Sequence, residues 1–173
     1  MTNPMPLPDA VSLIKRFRES GWRIVLAESC TCGMAAAIMG QVPGASDVFC
    51  GSAVTYRESV KSDWLGVDTA TLRQFTAESQ QTTDEMASCL LQRTSEARWG
   101  AAITGHLGPG APATTDGHVF VSLTRRSTGG EVEKVASGEF VLTSTNRTDR
   151  QIEAAESFIR WISDQTLGSE GRG

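Results

Sequence analysis

Apolar residues at Val11, Leu13, Ile14 and Phe17 recur at the three-and-four spacing of one helix face, with Asp9 as a candidate cap and Gly21 as a stop. The pattern then tightens into the mostly apolar Trp22–Ala27 (WRIVLA), which reads as a short buried strand. Glu28–Gly33 leads from it into a small-residue helix, Met34–Met39, ended by Gly40 and Pro43. Asp47–Tyr56 predicts a second strand, in which Gly51 marks a bulge or a close approach. Arg57–Leu65 and Thr69–Phe75 predict short helices on either side of the turn Gly66–Val67–Asp68. Ser79–Ala97 predicts a longer helix with Met86, Ala87, Leu90 and Leu91 as its apolar stripe. Trp99–Thr104 is a third strand, followed by a Gly/Pro-rich loop over Gly105–Gly117. His118–Thr124 and Glu131–Leu142 form a hairpin turned through Ser127–Gly130. Asn146 caps a last helix reaching Leu167, whose buried face is Ile152, Ala155, Phe158, Ile159 and Ile162.

Alternating helices and strands imply an α/β fold: a single-domain layered sandwich with a mixed β-sheet flanked by helices. It is expected over residues 9–167, between tails at 1–8 and 168–173, the latter including a frayed Ser169–Gly173. A chain of 173 residues is long enough for one core, burying roughly 70% of its unfolded surface. The longest apolar run, Met34–Met39, has six residues, far short of the roughly 20 that span a bilayer. Met1–Pro8 lacks the basic stretch and apolar core of a secretory signal. A net charge of −4 argues against a nucleic-acid partner, whose footprint is a basic patch. These readings predict a cytoplasmic protein with no membrane association, and a homo-oligomer is the default assembly.

The cytoplasmic reading leaves Cys30, Cys32, Cys50 and Cys89 as reduced thiols. Cys30, Cys32, His106 and His118 match a zinc ligand count, but C-x-C and histidines twelve apart do not match zinc spacing, so no metal is expected. The four tryptophans sit at element ends or faces and read as packing.

In open α/β folds, ligands bind beyond the carboxyl ends of strands. Those ends carry Glu28–Gly33, then Val54–Tyr56 with Lys61 beyond it, then Thr104–Gly105. Ser29 sits at a strand-to-helix turn, near amides that can hold an anion or oxyanion. A serine nucleophile needs a base, and a desolvated lysine can serve. On residues alone Ser29 reads equally as a helix cap and Lys61 as a solvated charge.

Leu26–Gly33 (LAESCTCG) resembles the AESCTGG signature of the carboxyl-terminal domain of the competence-damage-inducible protein CinA. Val42–Ser46, Val54–Thr55–Tyr56 with Lys61, and Leu65–Gly66–Val67 are similar to the family's following elements. Met86–Ala87 and Thr104–Pro109 (TGHLGP) are similar more loosely, and the resemblance runs from Asp9 to Leu167. The family includes nicotinamide-nucleotide amidases, which hydrolyse nicotinamide mononucleotide to nicotinic acid mononucleotide and ammonia without metal or organic cofactor. Carried over by position, the resemblance makes Ser29 the nucleophile, Lys61 its base, and Tyr56 an aid to proton transfer or to lysine orientation. Backbone amides around Thr31–Gly33 would hold the oxyanion or phosphate. Thr104 and Gly105 would line the cleft, and Arg147 would meet the nucleotide phosphate.

Several positions depart from the family pattern. Cys32 replaces the first glycine of TGG, an obstacle if that position needs a positive φ. His106 and Leu107 replace Ile-Ala, and Glu78 stands where valine is usual. Thr145–Asn146–Arg147 stands for GDR, and Gln151 for a later arginine, with Arg150 one place off. The changes cluster in the expected substrate loops. They leave open a non-catalytic nucleotide-binding module of the same fold, and a cysteine hydrolase using Cys30 or Cys32.

Overall fold

The structure is a computed structural model, and it describes residues 5–167, so the expected tail at 168–173 and residues 1–4 of the other tail lie outside the described residues. A five-stranded sheet in the order β2-β1-β3-β4-β5 forms the middle layer. Its strands are β1 (Ile24–Glu28), β2 (Phe49–Val54), β3 (Trp99–Gly105), β4 (His118–Arg126) and β5 (Val132–Val141). β1 pairs parallel with both β2 and β3, and β4 and β5 add antiparallel, so the sheet is mixed as expected. The bulge expected near Gly51 is present: the register shifts between Ile24 and Val25, which face Phe49 and Gly51.

Among the described residues six α-helices flank the sheet: α1 (Pro8–Glu19), α2 (Met34–Gly40), α3 (Glu58–Val60), α4 (Thr69–Phe75), α5 (Gln80–Arg93) and α6 (Arg147–Thr166). α3 continues as a π-helical turn over Lys61–Leu65. Strand periodicity divides the core in two. Ile24 and Leu26 of β1, with Ala101 and Ile103 of β3, pack against α1, α2 and α6. Val25 and Ala27 point the other way, joining Ala102, Leu72, Met86, Leu90 and Leu91 under α4 and α5. Trp99 is fully buried between Phe17 and Trp22, as packing, whereas Trp64 is 63% exposed.

Asp68, Ser79 and Asn146 cap α4, α5 and α6 through side-chain hydrogen bonds to Ala70 N, Thr82 N and Asp149 N. Asp9 does not cap α1. Pro8 begins that helix, suited to a position with no amide to satisfy, and Asp9 pairs with Arg160. Val11 and Ile152, expected on buried faces, are 41% and 40% exposed. No helix among the described residues is long and apolar enough to cross a membrane.

Candidate active site

The three parallel strands end side by side, and their connections leave on opposite faces of the sheet: α2 follows β1 on one face, while α3, α4 and α5 join β2 to β3 on the other. This divergence opens a crevice at the carboxyl ends of β1 and β3. The first residue beyond β1 is Ser29, whose amide donates to Ile103 O at 3.1 Å. The first beyond β2 is Thr55, whose amide donates to Glu28 O at 2.8 Å. The sheet ladder thus fixes both backbones before any side chain acts.

Lys61 reaches back from the π-turn into this corner. Its side chain is fully buried, and Nζ lies 2.9 Å from both Ser29 Oγ and Thr55 O. No ion pair engages it among the described residues. Burial holds its amine below the ordinary 10.5, against opposing attraction from Glu78, Cys30 and Glu58. The Thr55 carbonyl can only accept, so one N–H of the amine is committed there. In the neutral amine that commitment leaves the lone pair free to turn toward Ser29 Oγ.

Ser29 opens onto a cleft of about 340 Å³, within the range of small-molecule sites. Tyr56, Glu78, Gly105, His106 and Arg147 also line it. A second cavity continues past Leu107–Ala111 toward Arg150 and the start of α6. Tyr56 is half exposed, and its hydroxyl accepts from Arg147 Nη2 at 2.7 Å rather than meeting Lys61; Arg147 also donates to Gly108 O. Orientation of the lysine falls to Thr55 O. Gly105 is required as glycine, because a Cβ there would stand 2.6 Å from His118 O on the neighbouring strand.

Three of the expected binding residues do not reach the cleft. Thr104 is fully buried, its hydroxyl 2.7 Å from that of Thr83 on α5. Thr31 Oγ1 and Gly33 N donate to Glu28, at 2.7 and 3.0 Å. Glu28, which the sequence presented only as part of a motif, is the hub of this corner: fully buried, it also accepts from Ala35 N, Ala36 N and Ser52 Oγ. It caps the otherwise uncapped α2 from the preceding strand. Gln151 holds the loop from the other side, donating to Thr31 O at 3.1 Å. Arg150 clamps Asp116 of the Gly/Pro-rich loop through two bonds, at 2.7 and 3.0 Å. Periodicity signalled neither clamp, because their partners are more than thirty residues apart.

Cys32 adopts φ +51°, the left-handed conformation that makes a side chain costly, and Gly33 follows at φ +91°. Burial pushes the Cys30 thiol up to about 12, unsuited to nucleophilic attack at neutral pH. Among the described residues no three metal-ligating side chains converge, and His118 pairs instead with Glu139.

Residues 8–165 match the profile of the CinA C-terminal domain. The CinA-like protein of Nostoc sp. is 32% identical over 148 residues, covering 84% of this chain and 34% of that protein. The CinA-like protein of Myxococcus xanthus is 37% identical over 117 residues, covering 66% of this chain and 28% of its own length. The match thus spans about a third or less of these longer relatives. The crystal structure of competence/damage inducible protein CihA from Agrobacterium tumefaciens superposes with a TM-score of 0.85 at 31% identity, covering 96% of this chain and all of that one. A CinA superfamily protein from Escherichia coli shares the fold, with a TM-score of 0.82 at 21% identity over 94% of this chain and 91% of its own.

Proposed function

The chain belongs to the CinA C-terminal domain family, and from that premise we propose that it is an amidohydrolase converting nicotinamide mononucleotide, or a related nucleotide amide, to the corresponding acid and ammonia. The observation that carries the reading is the 2.9 Å approach to Ser29 Oγ, at the floor of a cleft, of a fully buried lysine that has no ion pair among the described residues. A lysine desolvated to this degree is neutral more readily than a surface lysine, as a general base must be.

In this reading Lys61 Nζ takes the hydroxyl proton as Ser29 Oγ attacks the amide carbon. The amides of Cys32 and Gly33 are bonded to Ser29 O and Glu28, which leaves that of Cys30, a residue lining the cleft, as the donor beside Ser29 for the oxyanion. The protonated lysine then gives its proton to the departing nitrogen, ammonia leaves, and an ester on Ser29 remains. Water attacks that ester with Lys61 again as base, releasing the acid and restoring the serine. Arg147, anchored at the mouth on Tyr56 and Gly108 O, is the cation available to a nucleotide phosphate. The enzyme needs no metal or organic cofactor here and acts in the cytoplasm, as a homo-oligomer.

The test is ammonia release across pyridine nucleotides and simple amides, without added metal. Ser29→Ala and Lys61→Ala each lower kcat/KM by about a thousandfold or more, the scale of nucleophile and base losses. Normal turnover by folded Ser29→Ala sinks the proposal. Nucleotide binding with no ammonia from any amide instead identifies a non-catalytic nucleotide-binding module.

A further inference from the structure

The cleft is lined by two formally charged side chains of opposite sign, Glu78 and Arg147. Arg147 is engaged by protein oxygens, whereas Glu78 makes no hydrogen bond and no ion pair among the described residues. Glu78 is nonetheless half-buried and held in place by its neighbours. Ala77 inserts into the core under α4 and α5, and Ser79 caps α5. Thr76, at φ +71°, accepts from Thr82 Oγ1 at 2.6 Å and from Ser79 Oγ at 3.2 Å. The backbone that carries Glu78 is therefore pinned on both sides, and its side chain lines the cleft.

Its position carries a cost for the chemistry. Among the carboxylates that act on Lys61, Glu78 acts most strongly, and its attraction favours the protonated amine. A carboxylate that favours the protonated base costs activity with every substrate, and it recovers nothing through charge from an amide on a neutral ring. It is useful where the amide is borne on a positive ring, because the same charge then binds the substrate. We infer that Glu78 is a specificity residue that selects amides carried on a permanently cationic, N-substituted pyridinium ring over their neutral counterparts. Together with Arg147 it fits a zwitterionic ligand, with the positive ring toward Glu78 and the anionic group toward the guanidinium. The inference rests on the amidase reading for its substrate class, while the charge match itself rests on the cleft.

The experiment compares nicotinamide mononucleotide with its reduced dihydro form, which keeps the amide, ribose and phosphate but carries a neutral ring. In Glu78→Gln the ratio of kcat/KM for the cationic over the neutral form falls by about tenfold or more, through KM, as the loss of one charge pair in a partly screened cleft produces. A role exerted only through Lys61 changes both substrates by a common factor and leaves the ratio intact; an intact ratio overturns the inference. If the wild-type protein releases ammonia from neither form, the amidase reading has failed and calorimetric affinities decide the charge match alone. A wild-type preference for the cationic form that disappears in Glu78→Gln upholds it, and equal affinities overturn it.

Discussion

Replacing Glu28 by glutamine changes one atom and removes the charge at the hub beneath Ser29. Oε2 accepts from Thr31 Oγ1, Gly33 N and Ala35 N, while Oε1 accepts from Ala36 N at 2.9 Å and Ser52 Oγ at 2.8 Å. A glutamine must place its NH₂ at one of these positions. At the Oε2 position it would face two backbone amides that cannot turn. At the Oε1 position it faces only Ala36 N, since the Ser52 hydroxyl can rotate to accept. The favoured orientation thus orphans one buried amide and reduces the remaining charge-assisted bonds to neutral ones. One orphan costs about 1–3 kcal/mol, and the weakened bonds add to it, while relief of carboxylate desolvation offsets part of the sum. The expected net loss is about 3 kcal/mol, a large share of the roughly 5–15 kcal/mol available to a domain. With a urea m-value of about 2 kcal/mol/M, the unfolding midpoint falls by about 1.5 M. The melting temperature falls by about 10 °C. Urea unfolding followed by circular dichroism measures the change at constant m. A variant within about 1 kcal/mol of wild type refutes the assignment of Glu28 as a fully satisfied structural carboxylate.

Cys32→Gly relieves the left-handed strain at φ +51° but gives the unfolded chain more freedom, so a net gain of about 0.5–1 kcal/mol is expected in the same urea titration. A loss of stability contradicts it. At Glu153, burial raises the carboxyl pKa but is outweighed by hydrogen bonds from Thr143 and Ser144, which bring it from 4.5 to about 2. A depressed acid stabilises the fold above its unfolded value and loses that contribution as pH falls, so melting temperature declines from pH 4.5 toward 2. Glu153→Gln flattens the decline, and an unchanged acid limb rules Glu153 out as its source. For the proposed amidase, kcat/KM rises with pH as Lys61 loses its proton, through a midpoint below 10.5. Glu78→Gln removes an attraction that favours the protonated amine, so it moves this limb to lower pH. A limb that stays in place or moves upward shows that Glu78 does not act on the base.

Local chemistry made much of the fold readable. Asn146 caps α6 as its position predicted, and the order of strands and helices defined the layers. Errors fell where tertiary placement overrides periodicity. Ile152 satisfies the apolar stripe of α6 yet is 40% exposed, near the helix start. The site divides in the same way. Ser29 and Lys61 were named from motif, and the structure brings them together. That a lysine in a predicted short helix would be wholly buried is invisible in composition, because it depends on a π-turn and on a strand end six residues back. Thr31, Gly33 and Thr104 were named from the family motif and the helix end, but adjacent residues there point in different directions. Their polar groups serve Glu28 and Thr83.

The burial of Lys61 has a consequence for how such a domain changes over generations. An amine fully enclosed without an ion pair is a standing burden on the folded state, since desolvation disfavours its charged form. Replacement by methionine, similar in reach and free of that burden, would relieve the penalty while abolishing the proposed base. Because single substitutions that ease strain at a working site are readily available, position 61 is inherently unstable against mutational drift. A lineage that no longer used the amine would be expected to lose it early. A survey of descendants that retain Ser29 but not Lys61 would therefore mark where in the lineage turnover was abandoned and the fold alone was inherited.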